Sequence, residues 1–302
     1  MLKERVLITG ASGFIGTRLT EYLLAKDYAV IGLSRKKDLV SPHPDMQWIT
    51  ELSELKTDQI DYVINLAGEN IGQSRWTATR KQKLIASRVQ STEQLYRYLE
   101  QRRIVPKCIV SGSAIGYYGI DQNEQWTDAC TEQSPSQTIF QSELCQQWEQ
   151  TALQFSQQHT QIIRLGIVLS AKGGILPQML LPIRLNLAGK IGHGRQPVVW
   201  IHIRDVLQSI EFIMTSNAPK QVWNLVAPER VSQADFVSLA SRQLKKRPLL
   251  NLPAGLMKLV LGEQSQLILN GQYVKPNALA EAGYTFQYST LKEALANLLV
   301  AH

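Results

Sequence analysis

The chain has few of the features that mark a secreted, metal-bound or membrane protein. Its three cysteines, Cys108, Cys130 and Cys145, are odd in number and show no C-x-x-C spacing, which argues against a disulfide framework and a zinc site. Prolines and polar residues interrupt the apolar runs well short of a membrane span. The first apolar strand begins within a few residues of Met1, which leaves no room for a signal peptide. We therefore expect a cytoplasmic globular protein with no metal site and no membrane partner.

The net charge of +7 is divided among separate clusters and forms no single basic stripe. Basic residues group at 80–83, at 102–103 and at 245–247, along a helix or near predicted helix ends. No interleaved aromatic residues or nucleic-acid-binding motif accompany them. The charge therefore predicts an anionic small-molecule ligand over nucleic acid, and most of these side chains are expected to be solvated surface.

A glycine-rich turn near the N-terminus organises the chain. Residues 5–16, RVLITGASGFIG, form an apolar strand that enters a helix through the spacing G-x-x-G-x-x-G. Gly10 permits the tight turn, Gly13 lets a diphosphate approach the backbone, and Gly16 lets the helix pack closely on the sheet. The phosphates would bind free N–H groups at the positive end of the helix. This layout predicts a dinucleotide site.

The residues after the second strand indicate which nucleotide binds. A carboxylate about 20 positions beyond the glycines would favour the ribose of NAD(H), whereas an arginine accommodates a 2′-phosphate. Here the strand at 29–33 ends in Ser34, Arg35 and Lys36. We therefore predict NADP(H) over NAD(H); the alternative is that these cations form only a solvated loop.

Strands and helices alternate through the first half of the chain. Strands are predicted at residues 5–9, 29–33, 46–49, 61–68, 107–111 and 161–165, and helices at 14–25, 77–102 and 140–159. This order requires a parallel sheet with right-handed crossovers, so the predicted fold is α/β, a Rossmann-like doubly wound parallel sheet. We assign residues 1–165 to an NAD(P)-binding domain, to which about 195–230 return. Residues 166–302 are assigned to a smaller, mainly helical substrate-side lobe in which Pro177 and Pro182 should kink or divide a helix at 175–187.

Motifs along almost the whole chain carry a family resemblance. They include GASGFIG at 10–16, NLAGE at 65–69, RW at 75–76, SGSAIGYYG at 111–119, WE at 148–149, GRQ at 194–196 and WIHI at 200–203. The chain resembles an atypical, extended short-chain dehydrogenase/reductase of the NAD(P)-dependent epimerase/dehydratase superfamily. More narrowly, it resembles the epimerase-like (SDR39U1-like) proteins, whose C-terminal domain of unknown function would cover about 248–300.

The resemblance implies hydride transfer between a nicotinamide and a carbon that bears oxygen. Such enzymes use a tyrosine as acid/base, a lysine four residues later, and a serine after strand five. Ser113 occupies the serine position, and Ser111 is its partner nearer the cofactor. On the helix where the pair should lie, Phe140 replaces the tyrosine, and Glu143 or Leu144 replaces the lysine. The usual Tyr-x-x-x-Lys pair is therefore missing.

Two tyrosines in the loop after strand five are candidates for the missing acid/base. Tyr117 and Tyr118 follow Ser113 closely, and we predict that one of them exchanges the proton. The alternative is that both only pack the edge of the sheet. The predicted catalytic set is therefore Ser113, Tyr117 and Tyr118.

The remaining predicted contacts lie at the carboxyl ends of the strands, where open α/β sheets bind ligands. The predicted cofactor contacts are Gly10, Ser12, Gly13, Phe14, Ile15, Gly16, Ser34, Arg35, Lys36, Leu66, Ala67, Gly68, Ser111 and Gly166. The predicted substrate contacts are Glu69, Arg75, Arg195 and His202. Arg195 could clamp a phosphate or carboxylate. For His202, which alternates with apolar neighbours, a hydrogen-bonded structural histidine is the favoured interpretation.

Two functions remain open on this sequence. The first is an NADP(H)-binding oxidoreductase or nucleotide-sugar-epimerase-like enzyme acting on a small oxygenated, anionic molecule. The second is a non-catalytic NADP(H)-binding sensor or scaffold, which the missing pair favours. The oligomeric state is also open, with a homodimer as the alternative to a monomer.

Overall fold

A seven-stranded parallel sheet forms the centre of the molecule. The computed structural model describes residues 3–41, 43–216, 219 and 221–300. The sheet has the strand order β11-β7-β5-β4-β1-β2-β3, and every neighbouring pair is parallel. Its strands are β1 (Arg5–Thr9), β2 (Ala29–Leu33), β3 (Met46–Ile49), β4 (Tyr62–Asn65), β5 (Cys108–Ala114), β7 (Thr160–Leu165) and β11 (Val222–Leu225). Three small parallel pairs lie outside it: β6 (Ala129–Cys130) with β13 (Tyr273–Val274), β8 (Ile167–Leu169) with β10 (Trp200–His202), and β9 (Ala188–Ile191) with β12 (Leu250–Leu252).

Helices cover both faces of this sheet. The helices of the described residues, both on this sheet and beyond it, are α1 (Phe14–Ala25), α2 (Ala78–Gln101), α3 (Phe140–Leu153), α4 (Leu176–Arg184), α5 (Ile203–Thr215), α6 (Gln233–Leu244), α7 (Ala254–Leu261), α8 (Gln266–Leu269), α9 (Asn277–Glu281) and α10 (Leu291–Val300). α1 and α5 pack on the face that carries Val6, Ile8 and Val110. α2 and α3 pack on the opposite face, which carries Leu7 and Ile109. The predicted doubly wound fold is confirmed.

The C-terminal half builds a second core from helices. α4, α6 and α10 meet around Trp200 and Phe236, both almost fully buried. Ser232 starts α6 with a capping box: its hydroxyl accepts the Asp235 N–H at 3.2 Å, and the Asp235 carboxylate accepts the Ser232 N–H at 2.9 Å. The smaller, mainly helical lobe is thus present.

Four predicted elements differ from the structure by several residues, and the first is the strand predicted at 61–68, which covers only Tyr62–Asn65. The helix that begins at Phe140 ends at Leu153 and not at residue 159, and the chain turns where the Gln158 N–H bonds to the Phe155 carbonyl. β5 continues to Ala114 because β7 pairs with it along the added residues. α4 is one helix, with Pro177 in its first turn, where no N–H is required, and Pro182 inside it.

Candidate functional site

The glycine-rich turn lies tightly between β1, β4 and α1. Gly10 has φ +67°, and a Cβ there would lie 2.8 Å from the Leu66 carbonyl oxygen. A Cβ on Gly16 would lie 2.2 Å from the Gly10 carbonyl oxygen. Gly13 is the N-cap of α1, and no side chain caps this helix. The first-turn N–H groups are therefore free to bind phosphate oxygens, so the turn fits a dinucleotide diphosphate.

The ends of β1 and β2 meet through two hydroxyls. Ser12 Oγ lies 2.6 Å from Ser34 Oγ, and Ser34 Oγ also accepts the Lys36 N–H at 3.1 Å. Arg35 and Lys36 are exposed, with 86% of the Arg35 side chain accessible. The two cations predicted to read the ribose phosphate thus lie beside the glycine turn, and their side chains face solvent.

Phe14 and Ile15 contribute to the core through their side chains. Both pack against the apolar cluster beneath α1. The Phe14 ring also lies under Gly173 and Gly174, where an added Cβ would come within 3.0 Å and 2.8 Å of it. Their predicted contact with a cofactor therefore reduces to their backbone N–H groups.

The end of β4 forms the other wall of this groove. The Ala67 N–H donates to Thr9 Oγ1 at 3.2 Å, and a Cβ on exposed Gly68 would lie 3.3 Å from the Arg88 guanidinium carbon. The Leu66 N–H bonds to the Thr9 carbonyl at 3.2 Å. Backbone and one arginine therefore line this wall.

Glu69 forms ion pairs at the end of β4. Its carboxylate pairs closely with Arg80 and lies 4.0 Å from Arg35. It thus links the exposed guanidinium of Arg35 to α2. The predicted contact of Glu69 with substrate stays a prediction.

The guanidinium of Arg75 is bound within the protein, whereas that of Arg195 is exposed. The Arg75 guanidinium donates to the carbonyls of Leu259 and Val260 at the end of α7, where a cation complements the helix dipole. It therefore joins the C-terminal helix α7 to the β4–α2 loop, and its assignment as a substrate contact stays a prediction. Arg195 is exposed, and its guanidinium carbon lies 5.8 Å from the Trp126 ring centroid.

His202 is a structural residue. It is 1% exposed, its Nδ1 accepts the Arg204 N–H at 3.1 Å, and its ring lies 3.9 Å from the Tyr288 ring centroid. Burial lowers its pKa to about 4, so it stays neutral near pH 7. It caps α5 from the interior, and its assignment as a substrate contact is corrected.

Because β5 extends to Ala114, both of its serines lie within the strand. Ser111 is fully buried and accepts an Asn65 amide N–H at 3.2 Å, so it lies below the edge and not against a cofactor as predicted. Ser113 is nearer the edge, but its hydroxyl donates to Glu149 at 2.6 Å. Gly166 lies where β7 ends; a Cβ there would be 2.8 Å from the Val199 carbonyl oxygen, so chain packing alone requires this glycine.

A buried ion pair holds the ends of β5, β7 and α3 together. Arg164 donates to both Glu149 oxygens, at 2.8 Å and 2.7 Å, and the two side chains are 4% and 6% exposed. Although burial lowers the pKa of Arg164, the bonds to Glu149 outweigh this effect and raise it. The sequence analysis assigned neither residue a role; the available signal was an arginine within the apolar strand at 160–165.

The two candidate tyrosines differ in hydrogen bonding. The Tyr118 hydroxyl is buried, donates to Asn224 at 2.7 Å and accepts from Arg164 at 2.9 Å; burial raises its pKa to about 12. Tyr117 is half-buried, with its ring 3.4 Å from the Arg164 guanidinium carbon, and its hydroxyl makes no hydrogen bond within the described residues. The Tyr118 hydroxyl therefore has both a hydrogen-bond donor and an acceptor within the protein, whereas the Tyr117 hydroxyl is free among the described residues.

Apolar packing fills the place of the missing acid/base pair. The Phe140 ring packs edge-on against Trp76 at 4.9 Å, and Leu144 is buried beside Leu84. The absence of the helix-borne pair is thus built into the packing of α2 against α3. Nor do the described residues hold a cluster of three or more His, Cys, Asp or Glu side chains suited to a metal ion. None of the described helices is both long and apolar enough to span a bilayer.

Comparison with known proteins identifies the relatives of this fold and site. The model of the NAD dependent epimerase/dehydratase family matches residues 6–225, and that of a domain of unknown function, DUF1731, matches residues 252–298. An epimerase family protein of Staphylococcus epidermidis is 36% identical over 306 residues, which cover 99% of this chain and 100% of that protein.

Two solved structures extend the comparison. The human epimerase family protein SDR39U1 (isoform 2), solved with NADPH, has a TM-score of 0.88 and 33% identity, over 99% of this chain and 100% of that chain. A nucleoside-diphosphate sugar epimerase from Corynebacterium glutamicum has a TM-score of 0.76 and 28% identity, over 99% of this chain and 58% of that chain. The resemblance predicted from the motifs is confirmed. The chain belongs to the NAD dependent epimerase/dehydratase family, among the epimerase-like members that end in the C-terminal domain of unknown function.

Proposed function

We propose that this protein binds NADP(H) in preference to NAD(H) and uses it as an oxidoreductase or epimerase-like enzyme on a small, anionic, oxygenated molecule. The observation that carries the proposal is the open glycine turn beside Ser34 and the exposed Arg35, with no carboxylate following β2 directly. A guanidinium there suits a 2′-phosphate. The human relative solved with NADPH supports the same choice.

Calorimetric titration of the apoprotein tests the cofactor preference. We expect NADPH to bind at least about tenfold more tightly than NADH, because a charge-assisted hydrogen bond contributes about 1.5–3 kcal/mol. Arg35→Ala should remove most of this difference and leave NADH affinity within about threefold, because NADH has no phosphate for Arg35 to bind. Lys37→Ala, in the same exposed loop, is the matched control. Equal affinities for the two nucleotides would refute the preference.

Proton transfer is assigned to Tyr117. A bound nicotinamide cofactor supplies hydride exchange with a carbon that bears oxygen, and a phenol must exchange the accompanying proton. Tyr117 presents an uncommitted hydroxyl and stacks on Arg164 at 3.4 Å, whereas the Tyr118 hydroxyl has both a donor and an acceptor partner.

A matched pair of variants tests this assignment. With NADPH and a panel of carboxylate- or phosphate-bearing carbonyl compounds, Tyr117→Phe should lower turnover at least about 100-fold and leave NADPH affinity unchanged. Tyr118→Phe should instead lower stability by about 1–3 kcal/mol, because the buried acceptor on Asn224 and a donor on Arg164 lose a partner. Unchanged turnover in Tyr117→Phe removes this residue from the mechanism.

A non-catalytic nucleotide-binding role is the second candidate. It is favoured by the Phe140–Trp76 packing in place of the acid/base pair and by the donation of the Ser113 hydroxyl to Glu149. The two candidates differ in one measurement. An oxidoreductase oxidises NADPH only when a substrate from the panel is added, and an epimerase returns the hydride and so converts a panel compound into its epimer with no net change in the cofactor. A sensor binds NADPH and leaves both the cofactor and every panel compound unchanged.

A further inference from the structure

Arg88 of α2 lies at the carboxyl edge of the sheet, between β4 and β5. A Cβ on Gly68, which follows β4, would lie 3.3 Å from its guanidinium carbon. On its other side the guanidinium carbon lies 5.2 Å from the centroid of the Trp148 ring. This ring covers Gly112 of β5, where an added Cβ would be 3.1 Å from it. Gly68 leaves room for the Arg88 guanidinium on one side, and the Trp148 indole, which packs over Gly112, lies against it on the other.

Arg88 interacts with the Glu69 carboxylate only from beyond ion-pair distance, and that carboxylate pairs with Arg80 instead. Within the described residues its guanidinium forms no ion pair, in contrast to Arg164 with Glu149 and Arg80 with Glu69. Its protein acceptors are neutral: the carbonyls of Leu84 and Glu69 and the hydroxyl of Ser87.

Partial burial of the Arg88 charge is unfavourable, and two N–H groups of its guanidinium have no partner within the described residues. Arg88 is half-buried, and this burial lowers its pKa, which reflects the cost of partly desolvating a cation that has no ion-pair partner in the described residues. Nη1 donates twice and Nη2 once to the acceptors above. Of the five N–H bonds of a guanidinium, the one on Nε and one on Nη2 therefore have no partner in the described residues.

Arg88 also lies near the position that the missing lysine would occupy. Its guanidinium carbon lies 5.2 Å from the ring centroid of Trp148, about one helical turn after Leu144 on α3, and its charge acts on the thiol of Cys145, which follows Leu144. A cation carried by α2 therefore reaches the region that a lysine at position 144 would reach from α3.

The strand order decides which part of a dinucleotide Arg88 can meet. β1 lies between β2 and β4, so a dinucleotide with its adenosine phosphate at Arg35 and its diphosphate on the glycine turn extends toward β4 and β5. We propose, on the basis of the proposed function, that Arg88 binds the nicotinamide half of NADP(H) through its phosphate and ribose oxygens. The free donors on Nε and Nη2 supply the contacts that the family takes from lysine.

Two ligands separate this role from a general effect on the fold. NADPH contains both halves of the cofactor, and adenosine 2′,5′-bisphosphate contains only the adenosine half. Arg88→Met should weaken NADPH binding about 10- to 100-fold, the effect of losing a charged hydrogen-bond donor, and leave the bisphosphate within about twofold. Arg35→Ala should weaken both ligands. Arg97→Met, an exposed arginine on the same helix, should change neither.

The outcomes are distinct. If Arg88→Met binds NADPH like the wild type, or loses both ligands equally while remaining folded, the proposal is wrong. Should that variant not fold, Arg88→Lys is decisive: it keeps the charge but loses the planar fork, and NADPH must weaken while the bisphosphate does not. Failure of the wild type to bind either ligand would instead overturn the proposed cofactor function.

Discussion

Replacement of Glu149 by glutamine should be among the most damaging single changes in this molecule. The substitution keeps the size of the side chain but presents an NH₂ group to Arg164, which has only donors. Arg164 then retains a positive charge with 4% of its side chain exposed and no carboxylate in contact. Breaking one partner out of a buried pair costs about 3–5 kcal/mol, which is a large share of the 5–15 kcal/mol that stabilises a typical domain.

Urea unfolding, followed by tryptophan fluorescence and by circular dichroism, measures how much Glu149→Gln lowers the free energy of unfolding. Arg164→Met should lower the free energy of unfolding by a similar amount, because the buried Glu149 carboxylate then loses its cation and keeps the hydrogen bond from the Ser113 hydroxyl. The double variant removes both charges, so its cost should fall short of the sum by about 1–3 kcal/mol. Glu93→Gln breaks the exposed Glu93–Arg97 pair and should cost no more than about 0.5 kcal/mol. A loss below about 1 kcal/mol in Glu149→Gln would refute this account of the buried pair.

Three further changes test other parts of the structure. Because burial lowers the pKa of His202 to about 4 from 6.5, its unfolded form binds the proton more readily, and stability present above pH 6.5 is lost as the pH falls toward 4. Relative to His202→Asn, which keeps a cap acceptor, the wild type should lose about 2 kcal/mol of unfolding free energy between pH 7 and pH 5 in denaturant titrations. Gly16→Ala should destabilise by about 1–3 kcal/mol or more and weaken adenosine 2′,5′-bisphosphate binding, because its Cβ would lie 2.2 Å from the Gly10 carbonyl oxygen; a normal thermal midpoint would contradict this. Gly255→Ala in α7 meets no heavy atom within 4 Å and should stabilise by about 0.5–1 kcal/mol in the same assay.

Local patterns in the sequence predicted the fold well, because they concern neighbours in the chain. The helix predicted at residues 14–25 and the strands at 29–33 and 46–49 have the bounds found in the structure. The end of α3 was missed because no glycine or proline follows Leu153 to mark it. The length of β5 depends on its pairing with β7, a contact between segments about 50 residues apart that no local pattern encodes.

The site was predictable where the backbone makes it and not where side chains meet across the fold. Glycine spacing predicted the tight turn found between β1, β4 and α1, and the residues after β2 predicted the exposed cations found beside it, since each depends on one short segment. The roles of Arg75 and His202 depend on contacts with residues 184 and 86 positions later, Leu259 and Tyr288, so their spacing carried no information. An arginine on a loop predicts anion binding only when its guanidinium does not already bind the free carbonyls at the C-terminal end of a helix.

The buried network also explains how a chain without the helix-borne tyrosine could hold a phenol in place. Among the residues that the structure describes, none hydrogen-bonds to the Tyr117 hydroxyl, so the orientation of this ring depends on the guanidinium of Arg164 beneath it. Glu149 fixes this guanidinium by two bonds, and Tyr118 fixes it by a third. If Tyr117 exchanges the proton as proposed, Glu149 is a positioning residue: a folded Glu149→Gln protein at low temperature should lose turnover while its affinity for NADPH is unchanged. Turnover at the wild-type rate in that folded variant would show that the hydrogen bonds of Glu149 to Arg164 are not needed for proton exchange by Tyr117.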